Sequence, residues 1–244
     1  IELVNYFIKG NIALTKVDED YPDNKLSGAV FEVYSDTNGD GKLDNDDTLL
    51  GEMKELDGGV YQMSELRFGK YLVKETKAPT GFVLDENVYS VSVEENGKTY
   101  TVENKAGVGF INAAQKGSLK IVKTSSDGKV EGFSFRVTGV DYDQTFKTDK
   151  NGEIVIEGLR IGDYTVSEVS NKASAGYILP ADKQATVKVD ATAIVQMHNE
   201  FRDTPKTGDD FNLGLWVSLA ALSVVGAGVL GFVGYKNRKK KKED

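Results

Sequence analysis

The sequence contains no cysteine, and His198 is its only histidine. Without cysteine the chain can form neither a disulfide nor a thiolate metal site, so other groups must stabilise its fold. No Ser/His/Asp or Cys/His arrangement can be assembled, and the sequence is therefore not predicted to be an enzyme. The strand parity of His198 is opposite to that of Asn199, which predicts an outward surface position.

Positive charge is concentrated in the last residues, 236–244, and the rest of the chain is acidic. The chain carries a net charge of −8. Because 236–244 contains five lysines and one arginine, the residues before it are more acidic than this total suggests. An acidic chain of this kind argues against nucleic acid as a partner. No signal peptide precedes residue 1 although export requires one, so we expect the sequence to be the C-terminal part of a longer protein.

The C-terminal residues 204–244 have three parts: a polar pentapeptide at 204–208, an uncharged apolar run at 213–235 and a basic tail at 236–244. As a helix, the apolar run would be about 34 Å long, which is enough to cross a hydrocarbon core of about 30 Å. The basic tail predicts a cytoplasmic C-terminus, with residues 1–210 outside. A single-span membrane protein with a polar stem is the plain interpretation.

The preceding residues contain an internal repeat. Three pairs of segments match: 10–16 (GNIALTK) with 117–123 (GSLKIVK), 69–75 (GKYLVKE) with 162–168 (GDYTVSE), and 110–112 with 197–199. The repeat predicts one domain at 10–116 and a second at 117–203. Residues 5–10 align with 112–117, so residues 1–9 are predicted to be the last strand of an upstream copy.

Each copy consists of short alternating runs rich in Val, Ile, Tyr, Phe and Thr, separated by Gly, Asn and Asp. This pattern is typical of an all-β sandwich, and no helical period of useful length precedes the apolar run. We therefore predict two tandem immunoglobulin-like β-sandwiches followed by one C-terminal transmembrane helix.

Three polar residues occupy inward strand positions in each copy, because side chains alternate across a strand. The two sets are Lys16, Glu75 and Asn112 in the first copy and Lys123, Glu168 and Asn199 in the second. Buried ionisable groups are unfavourable unless they are paired or neutralised. One interpretation is a structural Lys–Glu ion pair with the asparagine bonded to the backbone.

A second interpretation follows from a resemblance. Residues 71–82 (YLVKETKAPTGF) resemble the glutamate-centred motif of the collagen-adhesin B-type domains of Gram-positive adhesins and pilins, with Phe82 in place of the motif's tyrosine. The second copy lacks the motif's proline but keeps Glu168, Gly176 and Tyr177. The resemblance implies spontaneous isopeptide bonds, Lys16 to Asn112 and Lys123 to Asn199, promoted by Glu75 and Glu168 without a cofactor.

The chemistry of such a bond agrees with burial of the three groups. Desolvation lowers the pKa of a lysine and raises that of a glutamate, so a neutral amine can meet a protonated acid. The amine can then attack the asparagine side chain, while the protonated glutamate hydrogen-bonds the amide carbonyl and transfers protons as ammonia leaves.

The first copy also contains a twelve-residue acidic insertion at 36–47. Its oxygen donors have the spacing of a Ca²⁺-binding loop, with a glycine at the sharp turn of position 6. The predicted ligands are Asp36, Asn38, Asp40, the carbonyl of Lys42, Asp44 and Asp47. A solvated acidic turn between two strands is the alternative.

The ending at 204–244 resembles the cell-wall sorting signal of Gram-positive surface proteins. Its pentapeptide consists of Thr204, Pro205, Lys206, Thr207 and Gly208, with Thr204 where the commonest form has leucine. The resemblance implies that a sortase cleaves between Thr207 and Gly208 and joins Thr207 to an amine of peptidoglycan or of a pilin. The membrane would then be only a transient partner, and the mature protein would be anchored to the cell wall.

Two functional classes remain. The chain is predicted to be the structural stalk of a sortase-anchored adhesin or pilus subunit. The alternative is a binding module whose sandwiches contact a host matrix protein or glycan. The stalk is favoured because exposed aromatic residues are not grouped into a recognisable binding platform.

Overall fold

The structure is a computed structural model that describes residues 6–202. All regular secondary structure in this range is β-strand, and none of it is a helix able to span a membrane. Both sandwiches lie within one compact unit, which ends at Glu200. The predicted membrane span at 213–235 lies outside the described residues.

The first sandwich consists of two sheets. Its strands are β1 (Lys9–Asp18), β2 (Val30–Ser35), β3 (Thr48–Glu52), β4 (Lys54–Asp57), β5 (Val60–Arg67), β6 (Gly69–Lys77), β7 (Val88–Val93), β8 (Thr99–Thr101) and β9 (Phe110–Asn112). One sheet has the order β4-β5-β1-β8, with β9 also paired to β1, and the other has the order β3-β2-β6-β7. Both β8 and β9 run parallel to β1.

The second sandwich repeats this arrangement. Its strands are β10 (Lys116–Ser125), β11 (Ser134–Gly139), β12 (Tyr142–Lys147), β13 (Glu153–Arg160), β14 (Gly162–Val169), β15 (Tyr177–Ile178), β16 (Lys183–Val187) and β17 (Thr192–Phe201). The sheet orders are β13-β10-β17-β15 and β12-β11-β14-β16. The prediction of two tandem all-β domains is confirmed for the described residues.

Strand alternation creates the two cores. In β1, Ile12 and Leu14 are buried, while the alternate residues Asn11, Ala13 and Thr15 are partly exposed. The rings of Phe31 and Tyr61 pack edge to face with centroids 5.1 Å apart, and those of Phe31 and Phe110 at 4.9 Å. Burial of such rings is a large favourable contribution to folding, and these contacts join β2, β5 and β9.

The glycines that open the two matching segments lie where another chain segment crosses closely. A Cβ added at Gly10 would be 2.8 Å from the carbonyl oxygen of Lys98, and one at Gly117 would be 2.1 Å from that of Lys188. The pairing register also shifts at both glycines. Glycine is needed here because only hydrogen at this position leaves room for the passing backbone.

Candidate crosslinking sites

The triad of the first sandwich lies at the centre of its core. Lys16 is on β1, Glu75 on β6 and Asn112 on β9, so the three side chains come from both sheets. Lys16 and Glu75 are fully buried and Asn112 is 3% exposed. The parallel register pairs Lys16 with Phe110 and Asp18 with Asn112, which places Asn112 within reach of the lysine side chain.

All three side chains of this triad contact one another. Lys16 Nζ donates a hydrogen bond to Asn112 Oδ1 and another to the Phe110 carbonyl at 3.3 Å. The same nitrogen lies 3.4 Å from Glu75 Oε1. Asn112 Nδ2 donates to both carboxylate oxygens of Glu75, at 3.0 and 2.9 Å. The amine is therefore beside the amide group that it would attack.

The surroundings of Lys16 make its neutral form more populated than that of an ordinary lysine. Burial lowers the pKa of Lys16 to about 8, although the charge and hydrogen bond of Glu75 oppose this shift. The ring of Phe110 lies 4.7 Å from Nζ and adds apolar surface at the site. With this pKa the amine is neutral in about a tenth of the molecules at pH 7, far more than for an ordinary lysine, and the neutral form is the one that nucleophilic attack requires.

The second sandwich buries the same residue types but joins them differently. Lys123, Glu168 and Asn199 are 1%, 8% and 0% exposed. Asn199 Nδ2 donates to Glu168 Oε1 at 2.8 Å. Lys123 Nζ instead donates to the carbonyl of Thr124, and it lies 4.1 Å from the centre of the Phe133 ring. Within residues 6–202, no hydrogen bond or ion pair joins Lys123 to the other two side chains.

Two buried acceptors in the second triad have no hydrogen-bond partner among the described residues: Glu168 Oε2 and Asn199 Oδ1. Burial raises the pKa of Glu168, against the opposing influence of Asn199 and Lys123, and burial lowers the pKa of Lys123. A protonated Glu168 and a rotated Lys123 side chain would supply donors to the two unsatisfied oxygens.

The amide orientation differs from the one that the chemistry predicts. We expected the glutamate to bond the carbonyl oxygen of the asparagine, whereas Asn112 and Asn199 both direct Nδ2 to it. An ionised carboxylate can only accept hydrogen bonds, so it attracts the NH₂ group. Protonation makes the glutamate a donor and favours the reversed amide.

The acidic insertion at 36–47 connects β2 to β3 and folds back on itself. The carboxylate of Asp36 accepts hydrogen bonds from the amides of Gly39 and Gly41 at 2.7 and 3.2 Å. That of Asp47 accepts from the amides of Thr37 and Asp44 at 3.1 and 3.0 Å. In the part of the chain that the structure describes, no three His, Cys, Asp or Glu side chains are grouped to hold a metal ion.

The remaining predicted residues fall into two groups. His198 is exposed and faces outward, with Nδ1 2.8 Å from Thr124 Oγ1 and Nε2 3.1 Å from Glu200. The pentapeptide at 204–208 lies outside the described residues.

A further charge pair, between the partly buried Arg160 and the buried Asp18, joins the two sandwiches, and the sequence did not predict it. Arg160 donates to the two carboxylate oxygens of Asp18 at 2.6 and 2.8 Å, and to Asp20 at 3.0 Å. Its guanidinium also lies 4.9 Å from the centre of the Tyr21 ring. Strand alternation could have predicted that Asp18 is buried, because Asp18 follows Lys16 by two residues and therefore lies on the same inward face.

Comparison with known proteins gives one family and several related folds. The SpaA prealbumin-like fold domain family matches residues 10–106 and 117–201. The search of curated proteins found no significant match. Among solved structures, the Bacillus anthracis TIE protein is 24% identical over 80% of this chain, with a TM-score of 0.59, and the chain covers 34% of it.

Two pilin structures are also similar. The minor pilin of Streptococcus agalactiae is 17% identical, with 82% of this chain and 99% of that chain covered and a TM-score of 0.36. The shaft pilin SpaA of Lactobacillus rhamnosus GG is 14% identical, with 79% and 98% covered and a TM-score of 0.35.

Proposed function

Because the chain belongs to the family of SpaA prealbumin-like fold domains, we propose that it is the stalk of a cell-surface adhesin or pilus subunit, and that isopeptide bonds crosslink its sandwiches. The observation that carries the proposal is the burial of a lysine, a glutamate and an asparagine at matching positions of both sandwiches. The contacts of Lys16 with Asn112 and Glu75 support the proposal, because they bring the three groups together.

The proposed reaction needs only these side chains. Neutral Lys16 Nζ attacks Cγ of Asn112, and protonated Glu75 donates to the oxygen that becomes negatively charged. A bond forms between Nζ and Cγ, and the bond between Cγ and Nδ2 breaks. Glu75 moves a proton from Nζ to Nδ2, so ammonia leaves and the glutamate regains its starting state. Lys123, Glu168 and Asn199 react in the same way.

The position of the bond suits a stalk. Lys16 and Asn112 are 96 residues apart, on the first and last strands of the first sandwich. A pull on the two ends of that sandwich would pass through the bond and bypass the strands between them. By analogy with a disulfide, closing a loop of this length stabilises the folded state by about 4 to 5 kcal/mol through the unfolded chain.

Intact mass spectrometry tests the proposal. The chain should be lighter than its sequence mass by two ammonia molecules, and Glu75→Ala should restore one of them because it disables only the first triad. Lys74→Ala, a change at the partly exposed neighbour on the same strand, is the matched control and should leave both losses in place. A full sequence mass in a folded chain would refute the proposal.

Anchoring is the second part of the proposal, and it rests on the order of elements in 204–244. A sortase would cut after Thr207 and transfer it to an amine of peptidoglycan or of another pilin subunit, which leaves the protein on the cell wall. Thr207→Ala should then shift the protein from the wall to the membrane fraction. Recovery of wall-extracted protein with residues 236–244 still attached would contradict this.

We also propose Ca²⁺ binding by the 36–47 loop, which rests on the spacing of its oxygen donors. Two residues outside the loop hold it on the sandwich: Lys70 Nζ donates to the Gly39 carbonyl at 3.0 Å, and Ser90 Oγ to that of Gly41 at 3.4 Å.

A further inference from the structure

The strand that carries the reacting asparagine is much shorter in the first sandwich than in the second. β9 has three residues and β17 has ten. β17 pairs with β10 along Ser118–Ser125 and is bordered on its other side by β15. β9 pairs with β1 only along Lys16–Asp18. Beyond β9 the chain is held by other contacts, since the Asn112 carbonyl accepts from the Glu19 amide at 3.1 Å and residues 113–115 pair with 81–83. Among the described strands β9 pairs only with β1, so its outer edge at Ile111 has no neighbouring strand.

The side chain of Asn104 occupies the outer edge of β9. Its Oδ1 accepts a hydrogen bond from the Ile111 amide at 2.6 Å, and its Nδ2 donates to the Ile111 carbonyl at 2.8 Å. One side-chain amide thus satisfies both backbone groups of a residue, as a neighbouring strand would. Because Ile111 directly precedes Asn112, this pair of bonds fixes the peptide plane from which the reacting side chain projects.

Asp85 connects Asn104 back to the glutamate of the triad. Its Oδ2 accepts from Asn104 Nδ2 at 2.8 Å and from the Tyr89 hydroxyl at 2.7 Å. Its backbone amide donates to Glu75 Oε2 at 2.8 Å. The path from Glu75 through Asp85, Asn104 and Ile111 to Asn112 closes into a ring, since Asn112 Nδ2 also donates to Glu75.

We propose that Asn104, held by Asp85, is a positioning residue for isopeptide formation in the first sandwich: it fixes Asn112 against Lys16 and Glu75 through the backbone of Ile111. The inference rests on the proposed crosslinking function. It applies to the first sandwich alone, because in the second the continuous ladder of β17 with β10 along Ser118–Ser125 includes Asn199 itself.

The test uses the full chain made by cell-free synthesis, with aliquots taken over time. Brief proteolysis at each time selects the folded molecules, and peptide mapping by mass spectrometry then measures each crosslink separately. Asn104→Ala should slow the Lys16–Asn112 bond on the order of tenfold or more, because small misplacements of reacting groups reduce rates strongly. The Lys123–Asn199 bond in the same molecules should form at its wild-type rate.

Two further variants separate positioning from general destabilisation. Asn104→Asp places a second carboxylate beside Asp85 and should also slow the bond. Adding Asp85→Asn restores a donor between the two positions and should recover part of the rate, which loss of stability alone would not produce. Asn96→Ala is the matched control, because Asn96 is an exposed asparagine of the same sandwich that bonds Lys9.

The outcomes are distinguishable. If folded wild-type chain forms neither crosslink, the proposed function fails and the positioning role with it. If the wild type forms both, and folded Asn104→Ala chain forms the first bond at the wild-type rate or slows both bonds equally, only the positioning role is overturned.

Discussion

The two sandwiches bury the same three residue types, yet only the first brings them into mutual contact. Lys16 bonds Asn112 and lies beside Glu75, whereas Lys123 turns to the Thr124 carbonyl and the Phe133 ring. Strand parity is common to both copies and decides which residues face the core. The asparagine bonds the glutamate in both copies, so the direction of the flexible lysine side chain decides whether all three groups meet.

The two copies also differ in the connections between their strands. In the first sandwich, residues 36–47 join β2 to β3, while in the second, Val140 and Asp141 alone join β11 to β12, with Asp141 at φ 50°. The continuous β17 of the second copy corresponds to separate β8 and β9 strands in the first, and Asn104 lies in the connection between them. The first copy therefore has additional structure at both its candidate sites.

The largest effect we expect is in the pH dependence of crosslinking. The proposed reaction starts from a neutral Lys16 and a protonated Glu75, so it requires the pair to hold one proton between them. Above about pH 8, where burial places the pKa of Lys16, the pair loses that proton, and the rate should fall about tenfold per pH unit. A reaction that needed only the neutral amine would instead rise with pH and level off.

Timed peptide mapping from about pH 6 to about pH 10 measures this profile for both sandwiches at once. The first bond should form faster than the second, because Lys123 must first leave the Thr124 carbonyl. Glu75→Gln should abolish the first bond at every pH and leave the second intact. A rate that stays constant or increases above pH 8 would contradict the role given to the protonated glutamate.

The fold could be predicted from the sequence because the patterns that indicate β-strands and turns lie in neighbouring residues. Alternation and repeated glycines are properties of neighbouring residues, and they suffice to predict two β-sandwiches and the burial of six polar side chains. The direction of the Lys123 side chain could not be predicted in this way. Strand alternation predicts which face of the sheet the lysine is on, but it does not predict the rotamer of its long side chain.

The parts that the sequence analysis missed depend on contacts between distant segments. Asn104 and Asp85 lie in connections, outside any periodic pattern, and they meet only because the sheets pack together. Asp18 and Arg160 belong to different sandwiches, 142 residues apart. Only the inward parity of Asp18 was available as a signal, and it does not identify the partner.

A smaller effect is expected at this junction between the copies. Arg160→Ala would leave Asp18, which is 2% exposed, without its charged partner, and should weaken the coupling of the sandwiches by about 3 kcal/mol. Spin labels on the two sandwiches should then show a broader distance distribution. Arg136→Ala is the matched control, because Arg136 pairs with Asp143 on the exposed surface of one sandwich. An unchanged distribution in Arg160→Ala would contradict the coupling.

Acid should act on the same contact. Burial alone would raise the pKa of Asp18, but hydrogen bonds from Arg160 and the Asp20 amide, together with the Arg160 charge, hold it below 3.8. A carboxylate with a lowered pKa contributes stability above its ordinary value, and this contribution is lost as the pH falls through the lowered one. The distance distribution should therefore stay narrow until the pH falls below about 3.8 and broaden only under stronger acid.

The smallest effect concerns the loop that only the first sandwich has. If 36–47 binds Ca²⁺, calorimetry should detect one ion per chain, with modest affinity because Asp47 is shorter than the usual glutamate at position 12. Asp36→Ala with Asp40→Ala should abolish the heat, since it removes two predicted ligands. Asp46→Ala is the matched control, because it removes an acidic residue of the same loop that is not a predicted ligand. Absence of uptake at about millimolar Ca²⁺, the weak end of extracellular calcium sites, would leave the loop as an acidic turn held by its own hydrogen bonds.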